Sequence, residues 1–254
     1  MFLFFHIPAL TRTGLISLIT LLTLLGIMLR PWKVSEAITA LTGAGLLLLL
    51  GLLSPGEALA TLLHDWNTFF FFLGMMSLAA LAETAGFFDW LAVQAARLSG
   101  SSSRRLFFNT FLLGSLISML LSNDATALIL TPIVYSLVTR LRLPVLPYLF
   151  ACTFIADSAS FLLPVSNPIN ILVTARFPLN LLTFLRLLFL PSLLVIGINA
   201  GVFYFLYQRQ LHGRFDIKRL PVLQETMKHP IYFRYTCIVV ILVAVAYVDR
   251  KSVV

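Results

Sequence analysis

The amino-acid sequence predicts an all-α polytopic membrane protein. Of its 254 residues, 59% are apolar and only 11% are charged, and the mean hydropathy is +0.97, whereas about a quarter of the residues in soluble domains are charged. Apolar runs of membrane-spanning length recur along the chain, and the short loops between them hold most of the basic residues. Two of the later apolar runs are interrupted by polar residues. Such breaks are tolerated at membrane depth only where protein or a water-filled cavity satisfies the backbone.

Three membrane spans and a surface helix are predicted before the first of these breaks. The apolar runs place the spans at about residues 13–29, 35–53 and 66–85, near the ~20 residues that a bilayer requires. Glu57 stands at the start of a short Ala/Leu segment, so we predict a helix-start charge there. Residues 87–98 have an amphipathic pattern, which predicts a helix lying on the membrane surface.

The first break divides residues 106–139 into two arms. Its sequence is Ser-Asn-Asp-Ala-Thr at residues 122–126, and each arm is short for a complete span. Basic residues flank both outer ends of the pair: Arg104, Arg105, Arg140 and Arg142. This arrangement fits a hairpin that enters and leaves the membrane on one side, although two complete spans are also compatible with it.

The second break divides a helix predicted at residues 144–175. Its sequence is Ser-Asn-Pro-Ile-Asn at residues 166–170, and Pro168 frees a carbonyl in the preceding turn because it lacks an amide hydrogen. Residues 176–190 predict a second surface helix, followed by a span at 191–207, a basic loop at 209–234 and a last apolar run from 235.

The distribution of basic residues predicts the orientation of the chain. If the loop that holds Arg30 and Lys33 is cytoplasmic, most Lys and Arg residues fall on the cytoplasmic side, and residues 209–234 form a cytoplasmic loop. This orientation requires that the hairpin be re-entrant from that side.

Polar side chains at the two breaks form the predicted binding site. Unwound helix ends expose amide protons that attract oxygen-rich solutes and carbonyls that attract cations. Six neutral side chains add donors and acceptors for a polyhydroxylated solute: Ser122, Asn123, Thr126, Ser166, Asn167 and Asn170. Asp124 and Asp157 are ionisable residues in apolar surroundings, where the default interpretation is functional. We predict that they couple transport to protons; the alternative is that each caps a helix.

Both breaks resemble a known family. Residues 122–133 resemble the re-entrant hairpin of the arsenical-pump membrane proteins, which are arsenite and antimonite exporters of the ion-transporter superfamily. Residues 154–160 and 165–170 resemble their discontinuous helix, and residues 83–90 extend the similarity upstream. In the sodium-coupled carriers of the superfamily, Thr is common at the position of Asp124. The presence of Asp at this position favours protons over sodium as the coupling ion.

The resemblance implies an architecture and a function. Residues 1–208 would form one inverted-repeat unit with a re-entrant hairpin and a discontinuous helix, and residues 235–254 a truncated start of the second repeat, so the chain is expected to be an incomplete N-terminal half. It would lie in the cell (plasma or inner) membrane in contact with lipid and export arsenite or antimonite in exchange for protons. The expected protein partners are a second-half repeat chain, a homodimer mate or an ATPase subunit.

Several alternatives remain open at this point. A citrate or dicarboxylate carrier, a sodium/proton carrier and a non-transporting remnant are each compatible with the same pattern. Two intramembrane aspartates could also form a protease dyad, but the Gly-x-Gly-Asp context of such proteases is missing, as are a nucleophile elbow, a P-loop and metal-ligand spacing. We therefore expect no enzyme activity, catalytic residue, cofactor, metal site or nucleic-acid partner. Cys152, a potential arsenic ligand, is expected to be a buried small hydrophobe.

Overall fold

The computed structural model describes residues 9–64, 66–177 and 179–249, and none of these residues belongs to a β-strand. The described chain divides into two compact units, residues 1–67 and 68–254. Thirteen segments organise it: α1 (Ala9–Leu29), α2 (Glu36–Leu49), α3 (Pro55–His64), α4 (Trp66–Ala85), α5 (Phe87–Leu98), α6 (Ser103–Leu120), a π-helical segment (Ala125–Leu130), α7 (Thr131–Arg140), α8 (Leu146–Ser158), α9 (Pro168–Arg176), α10 (Leu181–Tyr207), α11 (Leu223–Thr226) and α12 (Pro230–Asp249).

Several of these helices have the length and composition of membrane spans. α1, α4 and α10 are each long and apolar enough to cross a bilayer, and a bent pair at 217–226 and 230–245 would add a fourth span. Three shorter apolar helices lie at 36–49, 125–140 and 146–161. The prediction of an all-α polytopic membrane protein is confirmed.

The first unit contains α1, α2 and α3. α1 packs against α2 at Gly43, where an added Cβ would clash with the Thr23 side chain. α3 begins with reciprocal capping bonds: the Ser54 amide donates to Glu57 Oε2 (2.9 Å), and the Glu57 amide donates to Ser54 Oγ (3.1 Å). The hydrogen bond from the Ser54 backbone lowers the pKa of the Glu57 carboxyl. Glu57 is thus a helix-start charge, as predicted.

In the second unit, α6 lies at the centre of the packing. It contacts α5 on one side and α8 on another, and Leu106 and Phe107 are almost wholly buried between them. The Tyr148 hydroxyl donates to the Ser103 carbonyl (2.9 Å) and lies 2.7 Å from Ser103 Oγ, which joins the first turns of α6 and α8. The two arms of the predicted hairpin therefore belong to one packed core.

The environment predicted for residues 87–98 is wrong. The helix forms there as α5, but Phe88 and Ala96 are fully buried because its apolar face packs against α6 and α7. An amphipathic pattern records that one face is apolar, and it does not record whether lipid or protein covers that face.

A second correction concerns residues 176–207. The predicted surface helix at 176–190 and span at 191–207 form one helix, α10, which contains Pro191. Proline is tolerated within membrane helices because neighbouring groups can satisfy the freed backbone. α12 also begins earlier than the predicted run, at Pro230, and residues 250–254 of that run lie outside the described residues.

Candidate functional site

The first break lies between α6 and the π-helical segment. α6 ends at Leu120, and Ser122 Oγ then accepts a hydrogen bond from the Ala125 amide (3.1 Å). Thr126, which is fully buried, accepts from Ser118 Oγ (2.8 Å) and donates to the Gly114 carbonyl (3.4 Å). π-Helical turns frequently occur at functional sites. Thr126 therefore anchors the break to α6, while Ser122 caps the π-helical segment, and Ser118 is a partner that the sequence analysis missed.

Asn123 carries unused hydrogen-bonding capacity. Its Oδ1 atom is buried and has no hydrogen-bond partner among the residues that the structure describes. An unsatisfied buried acceptor costs about 1–3 kcal/mol, and such groups in native proteins call for an explanation, such as a functional role. Asn123 is thus the predicted site residue with a free acceptor to offer a solute.

The second break begins at Ala159, seven residues before the predicted position. Pro164 cannot donate to the Ser160 carbonyl four residues earlier, and Leu163 before it is extended, with φ −130° and ψ 149°. The buried Asn170 side chain takes over that carbonyl: its Nδ2 donates to Ser160 O (2.7 Å) and to Leu163 O (3.3 Å). The prediction ended the helix at about Pro164 and placed the break at residues 166–168, which is later than in the structure.

The end of the second break is also capped. Asn167 Oδ1 accepts a hydrogen bond from the Ile169 amide (3.0 Å), and Asn167 is the N-cap of α9. Side chains of this kind satisfy amides that have no partner within the helix. Asn167 and Asn170 both serve the backbone here, so their side chains hold the break in place.

A single side chain joins the two breaks. Ser166 is fully buried, and its Oγ donates to the Met119 carbonyl (2.8 Å). Met119 lies in the last turn of α6, where carbonyls have no intrahelical partner. The structure therefore brings the two predicted polar segments together, although 47 residues separate the two hydrogen-bonded groups in sequence.

The two aspartates lie on different segments of the site. Asp124 immediately precedes the π-helical segment of the first break, and Asp157 lies in the last turn of α8. Asp124 is half-buried and makes no capping hydrogen bond, while Asp157 is exposed on α8 and makes no side-chain hydrogen bond or ion pair with any described residue. The alternative role of helix capping is therefore not seen for Asp124.

Asn199 of α10 is a residue of the site that the sequence analysis missed. It donates from Nδ2 to Ser158 Oγ, and Ser158 Oγ donates in turn to the Phe154 carbonyl (2.6 Å). Ser158 directly follows Asp157, so α10 is tied to the last turn of α8 next to a candidate ion-binding residue. The available signal was a carboxamide within an apolar run, since polar residues in membrane helices are expensive and commonly functional.

Cys152 lies in the apolar core. It is fully buried on α8 and packs within the core cluster, in agreement with the interpretation as a small hydrophobe. Within residues 9–64, 66–177 and 179–249 no three His, Cys, Asp or Glu side chains are grouped so that they could hold a metal ion.

Comparison with known proteins identifies the family. The sequence model described as "Citrate transporter" matches residues 6–252, nearly the whole chain. The chain belongs to this family. Within it, the chain is 30% identical over 232 residues to the arsenical pump membrane protein of Yersinia enterocolitica, covering 90% of this chain and 54% of that protein. It is 28% identical over 232 residues to the protein of the same name from Escherichia coli strain K12, with the same coverage.

A third relative comes from Bacillus subtilis. The chain is 30% identical over 215 residues to a putative arsenical pump membrane protein of Bacillus subtilis, which covers 83% of this chain and 49% of that protein. The chain thus spans about half the length of the curated relatives it matches. The predicted resemblance to the arsenical-pump proteins is confirmed, and this member of the citrate transporter family is a multi-pass protein of the cell membrane.

Proposed function

We propose that the two breaks form half of the translocation site of an arsenite or antimonite exporter, driven by proton movement. The observation that supports the proposal is the hydrogen bond from Ser166 to Met119, because it connects the second break to the end of α6 beside the first break. That site contains an unpaired buried acceptor, Asn123 Oδ1, and two carboxyl groups. The similarity to arsenical pump membrane proteins supports the same assignment.

The charge of the site favours a neutral solute. Arsenite and antimonite are neutral trihydroxides near neutral pH, and each hydroxyl can donate to an acceptor such as Asn123 Oδ1. Residues 106–139 and 143–175 contain no Lys or Arg at all. This half of the site therefore supplies no side-chain cation for a carboxylate substrate, while Asp124 and Asp157 would repel an anion when they are ionised.

Asp124 and Asp157 are the proposed coupling residues. Both carboxyl groups lie in otherwise apolar segments, where an ionisable side chain is commonly part of a proton or ion pathway. Asp124 is the half-buried member and Asp157 is the exposed one, so the pair offers a route from the surface of the unit towards the break. Export would then proceed as protons move the other way.

An organic-anion carrier is the second candidate. The family model that matches the chain is described by citrate. In this case the cationic groups for a citrate or dicarboxylate would have to come from outside residues 106–139 and 143–175. A sodium/proton carrier would use the same two aspartates.

The proposed site requires a complement. The relatives are about twice as long as this chain, and the resemblance assigns a second hairpin and broken helix to the rest of such a transporter. The complement would be a second-half repeat chain or a homodimer mate, and an ATPase subunit would join as a separate partner. The re-entrant path of the hairpin, the repeat at 1–208, the loop at 209–234 and the second-repeat segment from 235 stay predictions.

Arsenite accumulation in cells that lack their own exporter tests the proposal. The cells would express this chain alone or joined to a second-half repeat, each as wild type, Asp124→Asn and Asp157→Asn. We expect lower accumulation with the joined form, and loss of that effect in both variants. If every form inserts into the membrane but arsenite accumulates as much as in cells without the protein, the arsenite assignment is overturned. Citrate uptake by the same cells would then favour the organic-anion carrier.

A further inference from the structure

The segment between α10 and α12 folds back onto α5, and we call residues 211–228 the clasp. One end of the clasp pairs with the turn before α6: the Ser103 amide donates to the Gly213 carbonyl (3.1 Å), and the Phe215 amide donates to the Ser101 carbonyl (3.0 Å). The sequence predicted only a basic loop here. Paired backbone gives this loop a defined position on the protein.

The other end of the clasp is held along α5. Arg97 donates to the Pro221 carbonyl (3.3 Å), and Lys228 forms an ion pair with Asp89 (3.0 Å). Gly86, with φ 81°, lies so close to the Thr226 carbonyl that any Cβ there would clash. The clasp thus follows α5 from its last turn to its first.

Burial alternates along the clasp and gives it an inner and an outer face. Leu211, Phe215 and Leu220 are 1%, 6% and 7% exposed and hold the clasp to the core. Ile217, between the last two, is 43% exposed. Three exposed basic residues share this outer face, Arg214, Lys218 and Arg219, together with one exposed acid, Asp216.

The outer face is a concentrated positive surface. None of Arg214, Lys218 and Arg219 forms an ion pair with an acidic residue in the described part of the chain, where the ion pairs join Arg30 to Glu36 and Lys228 to Asp89. Asp216, the one acid among them in sequence, accepts from the Lys218 amide (2.9 Å). Because Arg214 pairs with Ser102, it lies next to the start of α6, where Arg104 and Arg105 follow.

The position of this surface at the end of α10 indicates which kind of partner it binds. The clasp begins four residues after Tyr207, the end of the apolar helix α10, and Arg104 stacks over Tyr204 in the last turn of that helix (4.6 Å). Tyr and Arg at the end of a membrane helix mark the headgroup level. An exposed Ile beside a basic pair at this level matches a lipid surface, in which phosphates meet the charges and the interface accepts the apolar side chain.

We propose that the outer face of the clasp binds the headgroups of anionic phospholipids. Arg214, Lys218 and Arg219 contact the phosphates, and Ile217 inserts at the boundary with the acyl chains. Through the clasp, the bound lipid is connected to α5, which contacts the π-helical segment of the first break. This interaction is independent of the transported solute.

Native mass spectrometry of the full chain in detergent tests the proposal by titration with phosphatidylglycerol and, separately, phosphatidylcholine. The variant Lys218→Gln/Arg219→Gln should raise the apparent Kd for phosphatidylglycerol about thirtyfold, since each basic side chain near an anionic surface contributes about a factor of five. Binding of phosphatidylcholine should not change. Both side chains are exposed, and the unfolding curve of the variant should match that of the wild type.

A matched variant at the end of α7 provides the control. Arg140→Gln/Arg142→Gln removes the same charge from exposed positions and should leave the phosphatidylglycerol Kd within about threefold of the wild type. Ile217→Ser should weaken the binding of phosphatidylglycerol. The concentration of inorganic phosphate that displaces bound phosphatidylglycerol should stay the same in this variant. This combination of results distinguishes a lipid-binding surface from a site for free phosphate. Equal losses in the two double variants, or no loss in the clasp variant, would overturn the proposal.

Discussion

At both breaks, side chains form hydrogen bonds that stabilise an interrupted helix, but the two breaks use different residues for this. The comparison distinguishes the side chains that stabilise the backbone from the one that has no partner. The second break uses its carboxamides on itself: Asn170 satisfies two carbonyls and Asn167 caps α9. The first break is held by hydroxyls, those of Ser118 and Thr126, and leaves the Asn123 acceptor unpaired. We therefore call the second break the joint, because its carboxamide side chains support its own backbone. The first break retains an unpaired side-chain acceptor, Asn123 Oδ1. The following four substitutions test this contrast, in order of decreasing expected effect.

The largest effect is expected for Asn170→Ala in the joint. One buried and one partly buried carbonyl would lose their donor, and at about 1–3 kcal/mol for each unsatisfied group the free energy of unfolding should fall by about 2–6 kcal/mol. Chemical unfolding in detergent, followed by circular dichroism, measures this loss. Asn167→Ala is the control, with an expected loss of about 1 kcal/mol for a helix cap. Equal losses would contradict the assignment of Asn170 as the main support of the joint.

Gly114→Ala tests how closely the first break is packed. The new Cβ would lie 2.5 Å from Ile155 Cγ2 and 3.6 Å from Thr126 Cγ2, and overpacking of a core costs about 1–3 kcal/mol. The same unfolding experiment measures the effect. Ile155→Ala removes the clashing atom, so the double variant should lose less stability than the sum of the single variants. Strictly additive losses would show that no such contact limits the first break.

Asn199→Ala tests the link between α10 and the second break. One hydrogen bond to Ser158 would be lost, which should lower the free energy of unfolding by about 0.5–1.5 kcal/mol. A double-mutant cycle with Ser158→Ala should give a coupling energy of about 1 kcal/mol. A coupling energy of zero would mean that the two side chains contribute independently.

Asn123→Ala should have the smallest effect on stability of the four substitutions. It gives the most direct test of the difference between the two breaks. Removal of an unpaired buried acceptor should leave the free energy of unfolding unchanged or raise it by up to about 1 kcal/mol. Asn109→Ala is matched, because Asn109 Nδ2 donates to the Ala95 carbonyl (2.9 Å), and it should lose about 1 kcal/mol. A comparable loss for Asn123→Ala would indicate a structural role. Under the proposed function, arsenite export by the form joined to a second-half repeat should be lost in Asn123→Ala and retained in Asn109→Ala.

Local chemistry explains which features could be predicted. The long apolar runs gave the bounds of α4 to the residue and those of α1 and α2 within a few residues, because the bilayer imposes a minimum apolar length. Proline and the polar clusters indicated both breaks. The second break was placed too late because Pro168 starts a helix, where proline is well tolerated, whereas Pro164 is the residue that interrupts one.

Partners across the fold could not be predicted. The sequence assigned Asn123, Asn167 and Asn170 the same neutral binding role, and only their neighbours in space distinguish them: Asn170 and Asn167 serve the backbone, while Asn123 does not. The same holds for Asn199 and Ser158, which are 41 residues apart and lie on different helices.

Hydropathy and charge placement thus determined that this chain is an all-α membrane protein, and the polar clusters located its two breaks, because each of these properties is local to a segment. The tertiary structure decided that α5 is covered by protein and by the clasp, that Ser166 joins the breaks, and that the free acceptor belongs to Asn123. These outcomes depend on which helix packs against which, and packing is a property of the whole chain that no single segment encodes.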